Sequence, residues 1–116
     1  MLAHATTPDY RPARVGVLAC QNASMTPLAR FTELRPAWFP DGGEAVRKNA
    51  GCIPLLNQEP IYVDFFEEVA WQGVADGQKI GGVAKLARGR MRLSDGTDLY
   101  FYVPAGDIVP ISPTKP

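Results

Sequence analysis

The stretch ARGRMRLSDGTDLYFYV, residues 87–103, decides how this chain folds. Ser94, Asp95 and Gly96 make a three-residue loop with glycine in third place, where a left-handed backbone is needed, and such loops join antiparallel strands. The loop sets Leu93 opposite Thr97. Carried outward, the register puts Met91 opposite Leu99, Gly89 opposite Phe101 and Ala87 opposite Val103, so the apolar side chains share one face. The other face receives Arg92 opposite Asp98, Arg90 opposite Tyr100 and Arg88 opposite Tyr102. A two-residue loop of Asp95 and Gly96 would slip the register by one and set arginines beside Leu99 and Phe101, which burial disfavours.

Upstream of the hairpin, residues 78–86 read as a strand weakened by Gly81 and Gly82, a pair that suggests a bulge or bend. Residues 61–71 are ambiguous, because Ile61, Val63, Phe65, Val69 and Trp71 fit an alternation broken at Glu67. Asp64 followed by Glu67 matches a capping box and Gly73 a helix stop, so a strand over 60–63 and a short helix over 65–72 are expected. Trp71 would then lie partly exposed beside Glu67 and Glu68. Residues 73–77 would be a turn. Earlier still, residues 14–20 and 52–56 read as strands, and Thr26 with Pro27 opens a helix that Pro36 ends. A second short helix starts at Asp41 and closes at Gly51. Beyond the hairpin, residues 104–107 turn the chain, and Pro110 confines a last strand over 108–111 to a sheet edge.

The expected fold class is therefore α+β: one domain over 14–111, with a mixed or mostly antiparallel sheet of about five strands and two or three short helices on one face. A loose lead over 1–13 and a frayed tail over 112–116 flank it. The alternative is a small SH3-like, partly closed β-barrel formed by residues 52–111.

Composition narrows the chemistry. Twelve Lys and Arg balance twelve Asp and Glu, so no global field draws the chain to nucleic acid or an anionic membrane. Charge is nevertheless segregated along the sequence. Residues 49–78 carry Glu59, Asp64, Glu67, Glu68 and Asp76 without a base, and residues 79–93 carry Lys79, Lys85, Arg88, Arg90 and Arg92 without an acid. The two surfaces either neutralise each other within one molecule or meet between the subunits of a symmetric dimer. The apolar runs are far shorter than the roughly twenty residues of a membrane-spanning helix, and the N-terminus has no basic region leading into an apolar core. A cytoplasmic protein with no membrane partner is expected, with Cys20 and Cys52 as reduced, buried thiols.

No catalytic or metal-binding constellation stands out, and no cofactor is expected. The single histidine, His4, lies in the lead, so a histidine base or metal cluster has no candidate in the body. The glycine pairs lack the lysine and hydroxyl partners of a phosphate loop. Asp64, Glu67 and Glu68 are the candidates for acid-base work in a pocket enzyme. Arg88, Arg90 and Arg92 at period two, facing Tyr100 and Tyr102, form a basic aromatic surface able to stack bases or hold an anionic ligand. The plainer reading is a solvated sheet face of cross-strand pairs. Trp38 and Phe39 are candidates for an apolar contact, and Trp71 joins them as an exposed aromatic. The function expected is a noncatalytic binding module acting as a homodimer; nucleic-acid binding through the Arg/Tyr face and a pocket enzyme are the alternatives.

Overall fold

Turn chemistry and strand parity account for most of the architecture in the computed structural model, which describes residues 9–56 and 59–111. The chain runs β1 (Tyr10–Pro12), β2 (Val17–Ala19), α1 (Thr26–Leu34), α2 (Glu44–Asn49), β3 (Ile53–Leu55), β4 (Tyr62–Ala75), β5 (Gln78–Arg92), β6 (Asp98–Pro104) and β7 (Ile108–Pro110). Single 3-10 turns lie at Ala23–Met25, Pro36–Trp38 and Ala105–Asp107. The class is mixed α and β, with seven strands in three sheets among the described residues rather than about five in one. The sheets are β1-β7, β2-β3 and β4-β5-β6, and all pairings are antiparallel.

The sheets do not close into the alternative SH3-like barrel over 52–111. The partner of β7 is β1, which lies outside that span and within the stretch expected to be a loose lead. Two isolated bridges join the sheets, Tyr10 with Ile61 at the entrance to β4 and Cys20 with Tyr102 on the outer side of β6. His4, the rest of the lead over 1–8, and the tail over 112–116 lie outside the described residues.

The hairpin over 87–103 forms in the expected register, with Arg92 paired with Asp98, Met91 with Leu99, Arg90 with Tyr100, Gly89 with Phe101, Arg88 with Tyr102 and Ala87 with Val103. Leu93 N–H donates to the Thr97 carbonyl, and Gly96 takes a φ of 89°. Its apolar face builds the main core from Ala87, Met91, Phe101 and Val103, joined by Val17, Ala19, Leu55, Ile61, Val63 and Ile108.

The helix expected over 65–72 does not form. Those residues belong to β4, which pairs with β5 from Tyr62–Arg90 to Ala75–Gln78, so the Asp64–Glu67 capping box and the Gly73 stop have no helix to serve. A bulge between Val63 and Phe65 inserts one extra residue and reverses the parity. Ile61 and Val63 point into the core, and beyond the bulge the odd-numbered residues point to the other face. The odd-numbered apolar residues therefore serve two faces in turn, and the local capping pattern that pointed to a helix is overridden by pairing with β5. The bulge sits on β4, and β5 runs without a register shift through Gly81 and Gly82, where one was expected. The turn is Asp76–Gly77, with φ of 51° and 74°, the left-handed pair that a two-residue hairpin loop needs.

The far half of this β4–β5 arm is two-stranded and leans on the helices by one face. Leu28, Phe39 and Ala75 are buried there, with Phe31, Trp71 and Ile80 packed against them. At Gly73 an added Cβ would come within 2.7 Å of a Leu28 methyl, so α1 packs closely on the arm there and a larger residue would force Leu28 to shift.

The cysteines are not free thiols: Cys20 and Cys52 are joined as a disulfide. The register of β2 and β3, in which Ala19 faces Ile53, places them directly opposite one another at the next step. Disulfides persist in oxidising surroundings, so the bond lends no support to a cytoplasmic site. Among the described residues no helix is long and apolar enough to cross a membrane.

Candidate functional site: the arginine and tyrosine layer

Alternation along β5 and β6 places Arg88, Arg90, Arg92, Tyr100 and Tyr102 on the face turned away from the main core, as the register requires. The layer has a third strand that the sequence reading missed. Because β4 is a strand here, Tyr62 lies directly across from Arg90 and Phe65 across from Arg88.

Arg90 is consequently not a solvent-facing group. It is 7% exposed, with its guanidinium 4.4 Å from the centre of the Tyr62 ring. Its Nε lies 3.5 Å from the Asp64 carboxylate and its Nη1 3.3 Å from that of Asp98. Asp98 also accepts from Arg92 Nε at 2.6 Å. Through that bond the Asp98 carboxyl is held below its ordinary pKa, and the Arg92 guanidinium is held above its own. Arg88 lies between the Tyr100 and Tyr102 rings, 5.0 and 5.1 Å from their centres, and donates to the Tyr102 hydroxyl at 3.0 Å. The Arg88 Nε is buried without a hydrogen-bond partner among the described residues. Three guanidiniums facing two carboxylates leave one positive charge in the layer, much less than three free arginines would present.

The outer rim of the layer is fixed by β2. Cys20 and Tyr102 exchange both backbone hydrogen bonds, at 2.9 and 2.7 Å, and Gln21 Nε2 donates to the Tyr100 carbonyl. Tyr100 keeps its outer face in water while Tyr102 is half-buried.

The remaining candidates lie elsewhere. Phe39 is buried in the helix-side core, and Trp38 beside it is exposed. Trp71, expected to be partly exposed on a helix, is half-buried on β4, with its ring centre 6.0 Å from that of Phe31. Phe31 contacts Trp38 and Phe39 as well, so α1 collects the three predicted aromatics into one cluster. A groove of about 190 Å³ runs beside it, lined by Pro27, Phe31, Leu34, Trp71, Leu86 and Pro104. The acidic trio does not converge: Asp64 serves Arg90, while Glu67 and Glu68, as successive strand residues, point to opposite faces. Among the described residues no group of three or more His, Cys, Asp or Glu side chains is gathered to hold a metal.

No protein-family model, curated protein or solved structure matches this chain. Its function must therefore be argued from these surfaces.

Proposed function

We propose that this protein is a noncatalytic binding module that associates with a second copy of itself through the open face of the β4–β5 arm. One observation carries the reading: among the described residues Phe66, Val74 and Val83 stand on that face at 37%, 62% and 67% exposure, with nothing packed over Val74 and Val83. They stand in alternate rows of the face, with the Glu68–Lys85 and Gln72–Gly81 pairs between them, and exposed apolar side chains rimmed by polar ones mark contact surfaces. Charge favours a copy of the same chain. Across this face Glu68 on β4 pairs in register with Lys85 on β5. A two-fold axis along the arm would lay β4 of one molecule over β5 of the other, setting each Glu68 against the second molecule's Lys85.

Nucleic-acid binding through the Arg/Tyr face is the weaker reading, because Asp64 and Asp98 already occupy Arg90, and Asp98 holds Arg92. Sedimentation equilibrium tests the preferred one. The chain is expected to sediment as a dimer at micromolar concentration, and Val74→Glu to convert it to a monomer with an unchanged circular dichroism spectrum. A wild-type monomer at 100-fold higher concentration would overturn the proposal. A salt-sensitive complex with a single-stranded oligonucleotide, lost in the Arg88→Ala variant, would favour the alternative.

A further inference from the structure

The two strands of the arm have unequal outer edges. The β4 edge is shielded, since Asp76 N–H donates to the Trp38 carbonyl and the 3-10 turn at Ala23–Met25 lies alongside. On β5, the strand that covers the edge ends where Pro104 pairs with Leu86. Among the described residues no strand continues that line toward the turn; the chain leaves it in the 3-10 turn at Ala105–Asp107, which packs against β5.

Parity identifies the backbone groups left over. Gln78 pairs with Ala75 across the two-residue turn, so the even-numbered residues of β5 hydrogen-bond to β4. At the far end the odd-numbered Leu93 bonds to Thr97 on the opposite side. The N–H and C=O groups of Lys79, Gly81, Val83 and Lys85 therefore point outward from the free edge, in the repeat that one more antiparallel strand would satisfy.

The surroundings select what that strand is. Alternate side chains of an added strand would point toward α1, beside Ala84 and Leu86, into the apolar groove lined also by Phe31, Leu34, Trp71 and Pro104. The intervening side chains would lie on the other face next to Lys79 and Lys85. Among the described residues Lys79 forms no ion pair, and Lys85 lies 5.1 Å from the Phe66 ring centre. A second copy is a poor occupant of this edge, because antiparallel self-pairing centred on Gly82 sets Lys79 opposite Lys85 twice.

We infer that the β5 edge from Lys79 to Lys85 is a strand-addition site for an extended segment of another protein that alternates acidic and aliphatic residues. Aliphatic side chains fill the groove under α1, acidic ones meet Lys79 and Lys85, and the ladder hydrogen bonds hold the backbone. This rests on the reading of the chain as a binding module, and uses the backbone edge of β5, which borders the face assigned to the dimer at Lys79 and Lys85.

The test is an NMR titration of the full chain with acetyl-Glu-Val-Glu-Val-Glu-Val-Glu-amide. The amides of Lys79, Gly81, Val83 and Lys85 are expected to shift and to exchange with solvent at least tenfold more slowly. Val83→Pro removes one outward N–H that no group among the described residues uses, and should weaken binding at least tenfold. Because that variant could misfold, the same peptide N-methylated along its bonding edge is the second arm, with the same expected loss. Lys79→Glu should weaken the acidic peptide about fivefold and favour a Lys-Val counterpart. Shifts confined to Phe66 and Val74, an N-methylated peptide that binds as well as the parent, or no binding at millimolar peptide would each overturn the assignment. Val74→Ser, which also removes an apolar contact of the dimer but sets no carboxylate opposite Lys79, should leave peptide binding intact, so the two proposals fail separately.

Discussion

Replacing Cys20 and Cys52 together by alanine removes a cross-link that spans 32 residues of sequence. Treated as loop closure, a link of that span removes about 12 cal/mol/K from the unfolded ensemble, or about 3.7 kcal/mol at 25 °C. The local packing adds to this. Cys20 is fully buried with Leu18, Ala29 and Ala50, and trimming its sulfur costs up to about 1 kcal/mol. A loss of about 4 kcal/mol is a large share of the roughly 5–15 kcal/mol that stabilise a domain of this size. Urea unfolding of the oxidised chain, the chemically reduced chain and the double variant measures it. Both unbridged forms should lose stability by similar amounts, with a steeper denaturant dependence because their unfolded states expand further. Since Cys20 and Tyr102 exchange backbone hydrogen bonds, the Tyr102 amide should also exchange faster in both. Two free thiols by alkylation and mass measurement on the native protein, or a loss below about 1 kcal/mol, would refute the reasoning.

Three further outcomes follow from the packing. Arg90→Ala strips the cation from between Asp64, Asp98 and the Tyr62 ring and should cost about 3 kcal/mol, lowering the melting temperature by about 10 °C, whereas Arg92→Ala at the exposed end should cost far less; equal losses in thermal melts would show that Arg90 is not an internal clamp. Gly43 has a φ of 92° and its missing side chain would collide with buried Thr32, so Gly43→Ala should lose about 3 kcal/mol in the same melts. Acid should weaken the fold through three carboxylates with folded pKa values below 3.8: Asp41, held down first by the Ala45 N–H, Asp95 by the Thr97 hydroxyl and Asp98 by Arg92. A depressed folded pKa makes unfolding take up protons, so their contribution is complete above the unfolded value and drains away as pH falls through the folded ones; Asp→Asn at each position should flatten the loss of stability measured below about pH 4.

What the sequence determined by itself is what short-range chemistry determines. Around Ser94–Gly96 the loop length, the glycine position and the alternation of Met91, Leu99, Phe101 and Val103 all demand one register, and that register is the one observed. It also decided which face the five Arg and Tyr residues share. Over residues 61–75 the local signals conflicted, and a capping pattern of Asp64 and Glu67, three positions apart, suited a helix. Asp76–Gly77, a two-residue turn flanked by Ala75 and Gln78, was the readable signal that would have favoured a strand.

The rest needed the tertiary structure, because it depends on neighbours distant in sequence. The bulge at Asp64 arises only once β4 must serve two faces in turn, and it brings Tyr62 and Asp64 to Arg90 from about 26–28 positions away. No spacing rule foretells that a periodic arginine will be enclosed by a third strand. The disulfide likewise exists because β2 and β3 pair, which no feature near either cysteine encodes. The free edge of β5 is defined by where β6 stops, a property of the assembled sheet.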